Sequence, residues 1–223
     1  MRWISLAILG LGGIAILLSL GIWQVQRLNW KTALLADIEG RISAAPVDLP
    51  QTPDPEADRY LPVRISGATT GDELHVLVST ERLGAGYRVI APFETEAGRR
   101  IMVDLGVVPT EEKTPLRAGQ AMEVTGNLHW PQEVDSFTPD PDREGNIWFA
   151  REVAVMADAL GTEPVLVVTR DLDPGLPDMT QLPMGVDGIP NNHLQYAVTW
   201  FSIAALWAGM TLLLGWRMRN PGS

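Results

Sequence analysis

The chain has three histidines, at positions 75, 129 and 193, and no cysteine in its 223 residues. Disulfides, thiolate catalysis and cysteine-based copper or zinc sites are therefore excluded, and the histidines lie too far apart in sequence to form a metal-ligand spacing. No glycine-rich phosphate loop, nucleophile elbow or paired-carboxylate motif occurs, so nothing in the sequence asks for an enzyme. The acidic run from Asp135 to Asp142, interleaved with prolines, reads as a solvated loop. His75 falls in an apolar strand and His129 at a strand end before Trp130-Pro131, and both read as structural or surface positions. His193 stands apart because it sits in Pro190-Asn191-Asn192-His193-Leu194-Gln195-Tyr196, directly before a long apolar run. Asn192 with Gln195 three residues on forms a capping-box pattern, which makes Asn192 the expected N-cap and His193 the first helical residue. Capping then accounts for the neighbours of His193 but not for His193 itself. A neutral imidazole, the form that coordinates metal, suits the positive end of a helix. The alternative is a polar interfacial residue wetted by lipid headgroups, and the residues alone leave both readings open.

A second constellation precedes it by most of the chain. Trp23, Arg27, Trp30 and Lys31 recur at helical spacing with Gln24 beside them, which predicts one shared face. Either they form an aromatic belt with snorkelling cations, or Arg27 or Lys31 meets an anionic group at a membrane surface.

Both constellations are carried by apolar segments. Residues 3–26 contain no charge, and the apolar run Leu194 to Trp216 is of similar length. Each is long enough to cross a hydrocarbon core of about 30 Å at about 1.5 Å per helical residue. The competing reading of the first run is a cleaved signal peptide, but the bulky Ile22-Trp23-Gln24-Val25 that follows it suits an uncleaved anchor better. Trp3 and Trp216 would mark one interface, and Trp23, Tyr196 and Trp200 the other. Gly12, Ala15 and Ser19 on the first helix, with Ala197, Ala204 and Ala208 on the second, are expected to let the two approach closely. Arg217 and Arg219 follow the second run, whereas its approach carries Asp173, Asp178 and Asp187 and no basic residue, which places both termini in the cytoplasm.

Between the runs lie all 27 acidic residues and all but three of the 17 basic ones, so nucleic acid is excluded as a partner of that surface. The expected organisation is a transmembrane helix over residues 1–26, a helical extension over 27–45, an extracytoplasmic domain over 46–190, a second transmembrane helix over 191–217 and a tail over 218–223. Leu34, Leu35, Ile38 and Ile42 continue the first helix until Pro46 and Pro50 end it. Extended runs follow at Tyr60 to Ser66, Leu74 to Ser79, Tyr87 to Phe93, Arg100 to Val108, Met122 to Leu128 and Val165 to Thr169. Gly67, Gly71, Gly84, Gly86, Gly98, Gly106, Gly119 and Gly126 read as turns between them. One helix is expected over Ala150 to Leu160, capped by Gly161. The fold class is thus a membrane protein whose two transmembrane helices flank one α+β domain, mainly antiparallel β and barrel-like.

These residues resemble the SURF1 (Surfeit locus protein 1) family. The resemblance rests on Gly21, Trp23, Gln24, Arg27, Trp30 and Lys31, on Tyr60-Leu61-Pro62-Val63 with Gly67, and on Gly86-Tyr87-Arg88-Val89-Ile90-Ala91-Pro92-Phe93. It continues through the segment from Phe137 to Arg151 with Trp148, and through Asn192-His193-Leu194-Gln195-Tyr196 with Thr199-Trp200, the most specific of the motifs. One element departs from the pattern: Asp104-Leu105-Gly106-Val107-Val108-Pro109 stands where the family has Arg-Gly-aromatic before Val-Pro. The resemblance implies an assembly factor for haem-copper terminal oxidases that holds haem a between its membrane helices and assists its insertion. His193 would be the axial iron ligand, and Trp23, Arg27, Lys31 and Trp200 would complete the binding site, with Arg27 and Lys31 placed for the propionates. The implied partners are the oxidase catalytic subunit, haem a synthase and the lipid bilayer, and the implied location is a bacterial inner membrane with the domain in the periplasm. A cofactor-free scaffold for an oxidase subunit is the alternative, and an unrelated periplasmic sensor or enzyme the third. The sequence does not distinguish a cytochrome c oxidase from a quinol oxidase.

Overall fold

The computed structural model describes residues 2–80, 84–113, 119–186 and 189–220. Asp187 and Gly188 at the approach to the second apolar run, the last three residues of the expected tail and the side chain of Arg2 lie outside the described residues. The chain divides into two compact units, Met1–Asp37 with Val186–Ser223, and Ile38–Gly185.

In the first unit, α1 (Arg2–Ile42) runs without a break because no proline interrupts it before Pro46. α3 (His193–Arg219) starts three residues after Pro190. Both are long and apolar enough to cross a membrane, and only 11% of each apolar window is buried, unlike the mostly buried core helix of a soluble fold. The second unit contains β1 (Val47–Asp48), β2 (Pro62–Thr69), β3 (Leu74–Thr80), β4 (Gly84–Thr95), β5 (Arg100–Pro109), β6 (Ala121–Leu128), α2 (Val153–Leu160) and β7 (Leu166–Asp173). All six expected strands are present, and β1 is an additional short one inside the proline-rich segment.

The strands form one mixed sheet in the order β1-β2-β6-β7-β5-β4-β3. β2 also pairs with β4 through Gly67, Ala68 and Thr69, so the circuit β2-β6-β7-β5-β4 returns to β2. Most pairs are antiparallel, but β1 lies parallel to β2, and β5 parallel to β7. Parallel neighbours need a long crossover, and the chain between β5 and β7 supplies it with β6 and α2.

Side-chain alternation divides the core in two. Val89, Ala91 and Phe93 of β4, Ile101, Val103 and Leu105 of β5 and Val167 of β7 pack into one cluster. Ile90, Met102, Leu166 and Val168 of the same strands point the other way, onto Val153, Met156, Ala157 and Leu160 of α2. Both faces are thus covered, which is why these strands read as nearly continuous apolar runs. α2 ends at Gly161, whose φ of 62° places it in the left-handed region and whose N–H donates to Ala157 O.

Of the eight glycines expected in turns, five fall within strands, Gly84 as the first residue of β4 and four others in strand interiors. A Cβ at Gly67, Gly86, Gly106 or Gly126 would meet a backbone carbonyl at 2.0, 2.5, 2.6 and 2.4 Å, respectively. These positions allow close approach of neighbouring backbone, a role for strand glycines that turn statistics conceal. Gly67 is decisive, because its hypothetical Cβ collides with Glu94 O in the β2–β4 pairing that completes the circuit. Gly67→Ala is expected to destabilise the domain by about 2–4 kcal/mol, measured as a lowered urea midpoint by tryptophan fluorescence, whereas Gly98→Ala at an open turn should cost about 1 kcal/mol.

Candidate functional site

α1 and α3 run antiparallel and meet along one stripe. A Cβ at Gly10 would lie 2.3 Å from Thr211 Cγ2, one at Gly13 2.5 Å from Trp207 Nε1, and one at Gly21 2.5 Å from Phe201 Cε1. The contact stripe of α1 is therefore Gly10, Gly13, Gly21 and Gln24, while Gly12, Ala15 and Ser19 face outward, contrary to expectation. Small residues occur on several sides of this helix, so size alone does not select the face. On α3 the expectation is met at Ala197 and Ala204, both buried.

At one end of this stripe His193 Nδ1 lies 2.8 Å from Gln24 Oε1. Because an amide oxygen carries no hydrogen, the ring donates from Nδ1, and the neutral tautomer that fits this bond has its lone pair on Nε2. Nε2 has no hydrogen-bond partner among the described residues. The helix starts at His193 as expected, but Asn192 makes no side-chain cap, so the capping box does not form. Asn191 instead donates to Thr32 Oγ1 at 3.4 Å, and Lys31 Nζ donates to Pro190 O. Gln24 and Lys31, seven residues apart, share the face that meets the start of α3.

Trp23 and Trp30 are about half exposed, and the Arg27 guanidinium stacks on the Trp30 ring at 3.9 Å. Trp200 is half-buried on α3. Trp23, Arg27, Trp30 and Lys31 lie on one side of the unbroken α1, and Lys31 bonds to the approach to α3. Trp3 and Trp216 lie exposed at the opposite end of the helix pair, as amphipathic rings at an interface would.

Two polar clusters in the sheet unit escaped the sequence reading. Asp104, 1% exposed, accepts an ion pair from Arg88 Nη1 and lies 3.5 Å from Arg151 Nη1. Arg151 also pairs with Glu133, and Arg88 Nη2 donates to Leu182 O at 3.3 Å. An Asp within an otherwise apolar strand was the available signal. Residues 104 to 106 include the departure from the family pattern: β5 pairs Asp104 with Ile90 and Gly106 with Val89, which leaves Leu105 as the extra residue of a bulge, fully buried in the core. In the second cluster, Glu73 and His75 form a buried pair at 2.8 Å. Glu73 lines a cleft of about 350 Å³ with Asp72, Arg143, Asn146 and Trp148. Among the described residues no serine, threonine, cysteine or lysine lines that cleft, and no three His, Cys, Asp or Glu side chains are grouped to hold a metal.

A model of the SURF1 family matches residues 11–205, a range that includes Gln24, Lys31 and His193. Surfeit locus protein 1 of Xenopus tropicalis is 32% identical over 218 residues, covering 84% of this chain and 68% of that protein. For Surfeit locus protein 1 of Homo sapiens the identity is 31% over 212 residues, with 83% and 69% covered. A SURF1-like protein of Drosophila melanogaster is 31% identical over 215 residues, again with 83% and 69% covered.

His129 carries a pH dependence. Its Nδ1 is buried without a partner, and its ring stacks on Tyr60 with centroids 5.8 Å apart. Burial, followed by the nearby Arg151 charge, lowers its pKa from 6.5 to about 4. The unfolded chain therefore binds a proton that the folded one refuses, so the contribution of His129 is fully present above pH 6.5 and is lost as pH falls toward 4. Between pH 7 and pH 4.5 this loss is expected to reach roughly 2–3 kcal/mol. Urea unfolding of His129→Gln should show a pH dependence flatter than wild type by that amount.

Proposed function

The chain belongs to the SURF1 family, and from that premise we propose that it assists assembly of a haem-copper terminal oxidase. In this reading it holds haem a on its paired apolar helices before the cargo reaches the oxidase catalytic subunit. The observation that carries the reading is the His193–Gln24 pair, which leaves Nε2 as a free coordinating nitrogen on a half-exposed ring. Haem a supplies an iron centre that accepts an axial nitrogen, an apolar macrocycle with an isoprenoid tail, and two carboxylates. The protein's own residues hold and orient it, and the redox chemistry belongs to the oxidase.

His193 offers its Nε2 lone pair, and Gln24 keeps the proton on Nδ1. Trp200, on the turn of α3 after Ala197, offers an apolar ring surface, and Trp23 does the same from α1. Arg27 has an exposed guanidinium free to donate to a carboxylate, whereas Lys31 would share its ammonium with Pro190 O. A single histidine and exposed partners suit a carrier that must also release its cargo. The scaffold reading, without a cofactor, draws its support from Arg27, whose guanidinium is already stacked on the Trp30 ring.

The proposed location is a bacterial inner membrane, with residues 46–190 in the periplasm and both termini in the cytoplasm; haem a synthase would be the upstream partner. Arg217 and Arg219 in the last turn of α3 support this orientation. An alkaline phosphatase fusion at the C-terminus is expected to be inactive and one after Gly175 active; the reverse pattern would overturn the topology. Deletion of the protein should lower the haem content of a terminal oxidase while its subunits are still synthesised. His193→Ala should insert and fold normally yet retain at least tenfold less haem a on purification. Undiminished haem a in that variant would favour the cofactor-free scaffold.

A further inference from the structure

We propose that Gln24 is the positioning residue for His193: its amide oxygen fixes the ring's tautomer and orientation and so presents Nε2 as the cargo-binding nitrogen. This inference rests on the reading of His193 as the haem a ligand. Gln24 is 9% exposed on a helix whose outer surface is apolar, and a buried amide without a partner is destabilising. The side chain is therefore held in place by the bond it makes, and that bond is to His193 Nδ1 at 2.8 Å across 169 residues of sequence.

Three further observations converge on this role. Gly21, one turn before Gln24, removes the side chain that would collide with Phe201 and so admits α3 to hydrogen-bonding distance. The N-terminus of α3 supplies no competing restraint, because Asn192 makes no side-chain cap. Lys31, two turns after Gln24 on the same face, ties down Pro190 three residues before the histidine. The start of α3 is thus fastened to α1 on both sides of His193. Histidines that bind metal through one nitrogen commonly donate the other N–H to an oxygen acceptor, which sets ring orientation and raises basicity. Gln24 meets that requirement with a neutral acceptor, which leaves the net charge of the helix pair unchanged.

The test uses the full chain in detergent micelles with ¹⁵N-labelled histidine, His193→Gln serving to assign the His193 signals. In the ligand-free wild type His193 should be the Nδ1–H tautomer. Gln24→Leu should move it toward the Nε2–H tautomer that prevails for free imidazole side chains, and should lower haem a retained on purification by about 10- to 100-fold. Gln24→Glu keeps an acceptor oxygen at the same place and should restore both the tautomer and retention, which a merely damaged helix contact would not allow. An unchanged tautomer in Gln24→Leu overturns the proposal. So does undiminished haem a retention in Gln24→Leu when His193→Ala abolishes it. If the wild type retains no haem a, the carrier reading fails instead, and the tautomer comparison still decides whether Gln24 orients the ring.

Discussion

Helices surrounded by hydrocarbon gain nothing from hiding apolar side chains against each other, because lipid tails solvate those side chains equally well. Whatever pairs α1 with α3 must come from close packing and from polar bonds that have no better partner. The glycines at 10, 13 and 21 provide the first, and Gln24 with His193 the second. Lys31 and Asn191 add ties at the end of the stripe where water and headgroups begin to compete. The same polar bond that helps hold the pair together also sets the orientation of the His193 ring, so helix association and ring geometry are one problem.

The sheet unit solves a different problem. With no disulfide available, it depends on burial from both sides of the sheet and on strands that approach closely at Gly67, Gly86, Gly106 and Gly126. Asp104 is one of the charged residues buried in the interior. Its desolvation is offset by Arg88 and Arg151, and each arginine reaches onward, to Leu182 and to Glu133. The network therefore fastens the segments around residues 133 and 182 to the centre of β5, where apolar contacts would leave them loosely specified.

Local chemistry made much of this legible. Pro46 bounds the first helix, Gly161 ends α2, and nearly continuous apolar runs such as Ile101 to Val108 announce strands covered on both faces. Legibility failed where a residue's role depends on a distant partner. The parallel β5–β7 pairing leaves no trace in either strand, and a glycine that admits a neighbouring backbone looks like one that makes a turn. The capping pattern at Asn192 and Gln195 was locally plausible, but Asn191 finds Thr32 across the helix pair and the cap is not made. Trp23 and Arg27 have the right spacing for one face, yet the face is fixed by Gln24, whose importance appears only once His193 is opposite it. Asking which side of α1 combines glycines with a buried amide would have found the stripe.

The sequence distance between Gln24 and His193 also has a bearing on biosynthesis. At about 5–20 residues per second, the ribosome needs roughly 10–30 s to travel from one to the other. During that interval the first helix has no mate, and its glutamine must be kept by water, headgroups or a cellular factor. The sheet unit emerges in between, but the bond from His193 Nδ1 to Gln24 cannot form until the last helix has been made. A chain that stops short of residue 193 therefore lacks the helix pair and the His193–Gln24 bond, whatever the state of its sheet unit. Completion of the polypeptide is thereby a precondition for assembling the helix pair.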